Sequence, residues 1–297
     1  MTAETPPSSR VLLTRQGSAA IVTLESPPMN LLSSDLLDEL LARLRAAETD
    51  PAVRTIVLTS GLERTFTAGA NIREMAPMGS AEAGRHSKKG QDLTRWIEAC
   101  PMPVIAAVHG VCVGGGSEII EACDFVLASE DASFGQPEIK IGVLPGWGGS
   151  QHLPRRIGAQ RARAWILLGD TMTAEAAREA GLVWKVVPQD RLLPEALGLA
   201  ERLAERPAAA LAAAKAAIND ALDRGEARGL AHERRLWSSL FGTADQREGM
   251  AAFLEKRPPA FAPRKTTGAR KSSPSRGSAA KPPPRRASAA RRRGQRR

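Results

Sequence analysis

The chain has few cysteines and no long apolar run, and these two features limit the kinds of protein that it can be. Cys100, Cys112 and Cys123 are odd in number, form no C-x-x-C pair and stand in or beside apolar segments. We therefore expect reduced, buried cysteines and a reducing compartment, the cytoplasm. The chain contains no run of about 18 apolar residues, so we expect no membrane span. Residues 1–10 lack the basic stretch and apolar core of a secretory signal.

Several motifs of nucleotide and metal enzymes are missing as well. A dinucleotide fingerprint starting at Gly114 or Gly146 would need a glycine where the chain has Ile119 or Gln151. No Gly-Lys-Ser/Thr follows a glycine loop, no G-x-S-x-G elbow occurs, and the four histidines lack zinc spacing. These absences exclude the corresponding dinucleotide, phosphate-loop, serine-nucleophile and zinc sites.

Charge is distributed unevenly along the 297 residues. The net charge is +10, but residues 262–297 hold 13 Lys or Arg and no acid, which leaves 29 basic and 32 acidic residues elsewhere. This tail is rich in Pro, Ser and Ala, so we predict disorder there, and also over residues 1–9. The tail is either a solvated extension or a salt-sensitive, sequence-independent contact for nucleic acid or another anionic surface.

The first part of the chain has the pattern of an α/β protein. Residues 11–14 and 20–24 are β-type runs joined through a glycine turn, which predicts a hairpin. Leucines on one face predict an amphipathic helix over residues 35–48, and residues 55–59 form an apolar, β-branched strand. The strand–helix–strand order predicts a parallel sheet with helices packed on it.

Later segments are predicted to be mostly helical. Residues 76–90 are expected to form a mobile loop or a weak helix, followed by a helix over residues 91–99. Residues 181–187 are predicted to contain a brief strand. The remaining helices are predicted over residues 156–168, 173–180, 194–205, 207–222, 228–240 and 245–255, several with Pro or Thr at their starts.

The most informative stretch is residues 103–149. Val104–Val108 is predicted to be a buried strand, and Gly114, Gly115 and Gly116 lead from it into a helix over residues 117–123. A glycine turn lets a ligand approach the main chain, and the start of a helix presents free N–H groups. Glu118 lies in the first turn of that helix and Glu138 follows twenty residues later. Two carboxylates beside such a turn indicate proton transfer next to a developing oxyanion.

Four segments give the chain a family resemblance over about residues 10–262. They are FTAGANIREM (66–75), AAVHGVCVGGGSEIIEACD (106–124), SFGQPEIKIGVLPGWGGSQHLPRRIG (133–158) and REGMAAFLEKRPPAF (247–261). In this order and spacing they resemble the enoyl-CoA hydratase/isomerase (crotonase) superfamily. The resemblance implies an α/β spiral of β-β-α turns over residues 10–190. It also implies a helical trimerisation region over residues 191–261, and a homo-oligomer that is a trimer or a dimer of trimers.

The same resemblance implies roles for individual residues. The backbone N–H groups of Ala70 and Gly115 match the oxyanion hole that binds the thioester oxygen of an acyl-CoA. Glu118 matches the residue that activates water for attack at C3, and Glu138 the residue that supplies the C2 proton. Further positions match those that bind the acyl-CoA: Ala68, Asn71, Ile72, Arg73, Gly114 and Lys256. Coenzyme A is part of the substrate, so no separate cofactor or metal is implied.

These matches imply an enoyl-CoA hydratase that adds water in syn fashion to trans-2-enoyl-CoA, in fatty-acid or related acyl-CoA breakdown. The presence of both glutamates favours hydration over other reactions of the superfamily. The alternatives are a Δ3,Δ2-enoyl-CoA isomerase and a hydratase for a specialised acyl-CoA. A third alternative is a crotonase-fold protein that binds nucleic acid through its basic tail.

Overall fold

The computed structural model describes residues 10–224 and 226–262. The predicted disorder of residues 1–9 and of the tail beyond Ala262 lies outside these residues. The strands of the described chain are β1 Arg10–Gln16, β2 Ala19–Glu25, β3 Thr55–Ser60, β4 Thr65–Thr67, β5 Val104–Val108, β6 Val111–Val113, β7 Phe125–Ser129, β8 Ser133–Gly135, β9 Thr171–Thr173 and β10 Lys185–Val187.

The helices surround and extend the strands. They are α1 Ser34–Thr49, α2 Ile72–Met75, α3 Ser80–Ala99, α4 Gly115–Glu121, α5 Gly149–Ile157, α6 Ala159–Leu168, α7 Ala174–Ala180, α8 Gln189–Ala204, α9 Ala208–Arg224, α10 Glu226–Leu240 and α11 Ala244–Leu254, with a 3₁₀ helix at Pro137–Ile141. None of the helices in the described chain combines the length and apolarity needed to cross a bilayer.

Two sheets form the centre of the fold. The larger has the strand order β1-β2-β3-β5-β7-β10; β1 and β2 are the predicted hairpin, and every later neighbour is parallel. The smaller has the order β4-β6-β8-β9, with β4, β6 and β8 parallel. The prediction of a parallel sheet is therefore confirmed. Because β5 and β6 are separated only by His109 and Gly110, the chain passes directly from one sheet to the other.

Apolar side chains of α1 and the large sheet form the core. Ser33 caps α1 by accepting a hydrogen bond from the Leu36 N–H at 3.2 Å. Leu36, Leu40 and Leu44 then lie on one helical face and are almost fully buried. Each buried leucine contributes about 1.5–3 kcal/mol. All three cysteines are free and buried, as predicted.

Residues 76–90, predicted as a mobile loop or weak helix, belong mostly to α3. This helix begins at Ser80, whereas the predicted helix begins at residue 91. Its residues are polar, so periodicity alone gave little signal. The helix is stabilised through tertiary contacts, because His86, Gly90 and Leu93 are buried on one side of it. Packing of that side outweighs weak local propensity.

Two other helix boundaries were predicted wrongly. The predicted helix over residues 156–168 is divided between α5 and α6, because Gly158 has φ +79 and interrupts the helical backbone. The predicted helix start at Pro194 is also wrong, because α8 begins at Gln189 and contains the proline. Leu192 and Ala196 are buried on either side of Pro194, so packing compensates for the lost backbone hydrogen bond.

Candidate active site

The glycine turn between β6 and α4 presents the start of a helix to the site. Gly114 has φ +57 and ψ −132, a conformation that a residue with a side chain rarely adopts, and Gly115 is the first residue of α4. The helix therefore begins two residues earlier than predicted. Its first N–H groups have no partner one turn back in the chain, so they are available to an anion.

A second turn, Ala68 to Ala70, packs against the first. A Cβ on Gly69 would stand 2.9 Å from the Val113 carbonyl oxygen and 3.5 Å from the Gly115 nitrogen, so only glycine permits this approach. The Leu32 N–H donates to the Gly69 carbonyl at 2.9 Å. In the described part of the chain, no protein acceptor takes a hydrogen bond from the Ala70 or Gly115 N–H. The structure therefore places the turn that contains Ala70 against Gly115 at the start of α4.

Glu118 is buried beside the turn, with 2% of its surface exposed. Its Oε1 accepts hydrogen bonds from the Trp147 and Gly149 N–H groups, each at 2.7 Å. The pKa of Glu118 is raised to about 7, mainly by burial; the Gly149 and Trp147 N–H groups oppose this shift and the Glu138 charge adds to it. The carboxyl group is thus held in one orientation and exchanges its proton near neutral pH.

Glu138 lies in the 3₁₀ helix that follows β8. Its Oε1 is 3.4 Å from the point where a Cβ on Gly114 would stand, and its buried Oε2 has no hydrogen-bond partner among the residues that the structure describes. Burial raises the pKa of Glu138 to about 6. The default expectation for an acid after a proline is a solvated loop, whereas this carboxyl group is directed toward the glycine turn.

Strand pairing in the smaller sheet explains how the two acids meet. Val113 at the end of β6 is paired with Gly135 at the end of β8, and the Gly114 N–H donates to the Gly135 carbonyl at 2.9 Å. Parallel pairing therefore aligns the two exits, one leading to Glu118 and the other to Glu138. Two carboxyl groups separated by twenty residues are thus brought to one turn.

The other predicted contacts are divided between two regions. Ala68 begins the turn that follows β4, and Asn71, Ile72 and Arg73 come directly after that turn. The Asn71 side chain caps α2 by accepting from the Arg73 N–H at 3.2 Å. Ile72 is 55% exposed. Lys256 follows α11 with φ +56, and in the described chain no hydrogen bond or ion pair joins it to the turn.

Sequence reasoning missed Glu121 and Gln136. Glu121 is the only other acid on α4, a helix whose every residue is buried, and Gln136 is fully buried two residues before Glu138. The Gln136 Nε2 donates to the Glu121 Oε1 at 2.7 Å. An acid three residues after Glu118 in an otherwise apolar helix was the available signal.

The two sheets, the spiral order of their strands and the turn between the acids define an α/β protein of the crotonase fold. Residues 14–264 match the family described as enoyl-CoA hydratase/isomerase, and the chain belongs to that family. A probable enoyl-CoA hydratase of Rhizobium meliloti is 46% identical over 254 residues, 84% of this chain and 97% of that protein. A probable mitochondrial enoyl-CoA hydratase of Dictyostelium discoideum is 42% identical over 83% of this chain and 88% of that protein.

A solved structure agrees with these relatives. The crystal structure of an enoyl-CoA hydratase subunit from Geobacillus kaustophilus superposes with a TM-score of 0.81 at 39% identity. The match covers 86% of this chain and 98% of that one. The likeness therefore extends over nearly the whole of the relative.

Proposed function

We propose that this protein is an enoyl-CoA hydratase that adds water to trans-2-enoyl-CoA and forms 3-hydroxyacyl-CoA. Membership of the family implies an acyl-CoA substrate. The observation that carries the reaction type is the pair of carboxyl groups beside one glycine turn, buried Glu118 and half-buried Glu138. Relatives named as enoyl-CoA hydratases, at 46% and 42% identity, support the same reaction.

The two free N–H groups of the site form the proposed oxyanion hole. The thioester oxygen of the substrate accepts hydrogen bonds from Ala70 and Gly115, and negative charge moves onto this oxygen as the enolate forms. Donors fixed by the fold stabilise that charge more than they stabilise the ground state. Removing one such donor from an enzyme typically costs about 10²–10³ in rate.

The carboxyl groups divide the proton transfers between them. With pKa values of about 7 for Glu118 and about 6 for Glu138, the reactive state, in which Glu118 is ionised and Glu138 protonated, is the minor of the two singly protonated forms of the pair. In this state Glu118 accepts a proton from water while the water oxygen forms a bond to C3. Protonated Glu138 then donates its proton to C2, so that one hydroxyl and one hydrogen are added in total. The proton left on Glu118 returns to Glu138 through a water molecule before the next cycle. Because both acids lie at the same turn, addition from one face of the double bond is expected.

Most of the proposed CoA contacts lie in or just after the Ala68–Ala70 turn, which contains the proposed oxyanion donor Ala70. Ala68 begins this turn and Asn71 follows it, and Ile72 and Arg73, both exposed, come next on α2. The Arg73 guanidinium supplies a cation for a CoA phosphate or the adenine. Gly114 and Lys256 complete the proposed binding set.

Loss of the conjugated thioester absorbance of crotonyl-CoA tests this function. Wild type is expected to hydrate the substrate, and Glu118→Gln and Glu138→Gln are each expected to lose about 10²–10⁴ in kcat, the usual contribution of positioned proton transfer. Glu201→Gln removes an exposed carboxylate on α8 and serves as the control. The proposal would be refuted if the wild-type protein hydrated neither short nor long enoyl-CoAs. Isomerisation of a 3-enoyl-CoA without hydration would favour the isomerase alternative.

We also propose a trimer or a dimer of trimers assembled through the C-terminal helices. Large apolar side chains are exposed there, with Trp237 at 61%, Phe253 at 83% and Leu254 at 79%. Such a concentration on one region is characteristic of an interface. Sedimentation equilibrium should give three or six chains, and a monomer at micromolar concentration would contradict this.

A cytoplasmic location is proposed from the three cysteines, which are free and buried and thus suited to a reducing compartment. Cell fractionation tests it, and recovery of the protein from another compartment would contradict it.

A further inference from the structure

Glu121 is a buried acid that the proposed reaction does not use. It lies on α4 three residues after Glu118, with 2% of its surface exposed. Its Oε1 accepts from the Gln136 Nε2 at 2.7 Å, and Gln136 is itself fully buried. The pair is therefore closed off from water on both sides of the hydrogen bond.

Each member of this pair keeps one oxygen without a partner. Among the described residues these atoms are the Glu121 Oε2 and the Gln136 Oε1. A carboxylate cannot donate to an amide oxygen, so an ionised Glu121 would leave both atoms unsatisfied. One proton on the Glu121 Oε2 changes this, because a carboxylic acid and an amide can join through an N–H···O and an O–H···O bond side by side. A single proton then satisfies both oxygens.

We propose that Glu121 is a neutral carboxylic acid that forms a two-hydrogen-bond pair with Gln136 and so acts as a positioning residue for Glu138. The inference rests on the proposed function for its catalytic consequence. Gln136 immediately precedes Pro137, and Pro137 immediately precedes Glu138. A Gln136 side chain held at both its nitrogen and its oxygen anchors the start of the 3₁₀ helix, and thus the acid on it.

The same amide also contacts the support of Glu118. A Cβ on Gly149 would stand 2.6 Å from the Gln136 Nε2 and 3.0 Å from the Glu118 Cγ, so the Gly149 backbone lies between the two side chains. The Gly149 N–H is one of the two donors to Glu118. The Glu121–Gln136 pair thus packs against the elements that carry both proposed proton carriers.

The surrounding charges agree with a neutral acid. Burial raises the pKa of Glu121 well above its ordinary value, and the carboxyl groups of Glu118 and Glu138 raise it further. Burial also raises the pKa of the Cys112 thiol, so this group is neutral. The Gln136 hydrogen bond and the Arg156 charge oppose the shift, but the Arg156 Nε donates to the Glu121 main-chain carbonyl at 2.6 Å rather than to the carboxyl group.

Two substitutions of Glu121 separate positioning from bulk structure. Glu121→Gln preserves shape and offers an N–H to the Gln136 oxygen, whereas Glu121→Leu removes every hydrogen bond of the pair. We expect Glu121→Gln to retain kcat within about threefold. We expect Glu121→Leu to lose about ten- to a hundredfold in kcat at nearly unchanged KM, because Glu138 is displaced without loss of substrate contacts. Full kcat in Glu121→Leu would overturn the positioning role.

The pH–rate profile tests the protonation state. Replacing a neutral acid with a neutral amide leaves the apparent pKa values of the Glu118–Glu138 pair in place. If Glu121 were ionised, Glu121→Gln would remove a negative charge and lower those values by more than about half a pH unit. Such a shift, absent from the control Glu201→Gln, would overturn the inference.

Infrared spectroscopy supplies a readout that is independent of activity. At about pH 9, Glu118 and Glu138, with pKa values of about 7 and 6, are ionised, so a remaining protonated-carboxyl band is assigned to Glu121. The band should be present in wild type and Glu201→Gln and absent from Glu121→Gln; its absence from wild type would overturn the proposal. If wild type fails to hydrate any enoyl-CoA, the proposed function fails while this band still decides the state of Glu121. If Glu121→Leu does not fold, Glu121→Gln and the band decide.

Discussion

Substitution of Gly115 by alanine is the sharpest perturbation of the site that the structure offers. The indole of Trp147 lies between two glycines. A Cβ on Gly115 would stand 2.2 Å from its Cζ3, and a Cβ on Gly90 would stand 2.0 Å from its Cγ. Trp147 is 3% exposed, and its carbonyl accepts from the Thr94 hydroxyl at 2.8 Å. The indole therefore has no room to yield toward Gly90.

The required displacement can be estimated from these distances. Ordinary contact begins at 3.4 Å, so the Cζ3 atom 2.2 Å from an added Cβ must retreat by about 1.2 Å. The Trp147 backbone N–H donates to Glu118, and the Gly115 backbone N–H is one of the two proposed oxyanion donors. A misplacement of about 1 Å near reacting groups can cost 10²-fold in rate. Overpacking of a core typically costs about 1–3 kcal/mol in stability.

The assay is crotonyl-CoA hydration together with urea unfolding. Gly115→Ala is expected to lose about 100-fold in kcat and to unfold at lower urea, with helix content retained. Gly198→Ala is the matched control, because a Cβ at that position on α8 meets no atom within 4 Å. It should retain activity and gain up to about 1 kcal/mol, since alanine is the better helix former. Wild-type kcat in Gly115→Ala would refute the packing argument.

Three further predictions concern pH and the tail. The Glu118–Glu138 pair, with pKa values of about 7 and 6, should give a bell-shaped pH profile of kcat/KM. Both groups are protonated at pH values below the optimum and both are ionised above it. A flat profile from pH 5 to 9 would contradict this prediction. Burial favours protonated Glu118, so its stabilisation is full below about pH 4.5 and is lost as pH rises through about 7. The unfolding free energy in urea should therefore fall by about 3 kcal/mol more in wild type than in Glu118→Gln over that range. A chain truncated after Ala262 should lose salt-sensitive nucleic-acid binding in a mobility-shift assay, whereas equal binding by both chains would remove the tail hypothesis.

Local patterns were sufficient for most individual elements. Val104–Val108 is the strand that its apolar run predicts, and Ser33 caps α1 at the predicted helix. The glycine turn, with Glu118 in the first turn of the following helix, was also evident. These features depend on steric and hydrogen-bonding preferences of a few adjacent residues, so a short stretch of sequence contains them.

Long-range features could not be derived from those patterns. Polar α3 is long because its buried side packs on the rest of the fold, including Trp147, and Pro194 lies within α8 because buried neighbours hold that helix. Neither effect is visible in a local window. The family resemblance supplied the expected pairing of Glu118 with Glu138, but not the hydrogen bonds and burial that shift their pKa values.

Sequence patterns alone predicted the α/β class, half of the described strands (β1, β2, β3, β5 and β10), most of the helices, the glycine turn and the two candidate acids. The tertiary structure alone decided that the exits of β6 and β8 bring those acids to one turn, and that Glu121 is buried against Gln136. The physical reason is that pKa values and reactive geometry depend on which distant groups exclude water from a carboxyl group. That exclusion exists only once the sheets have paired and the helices have packed.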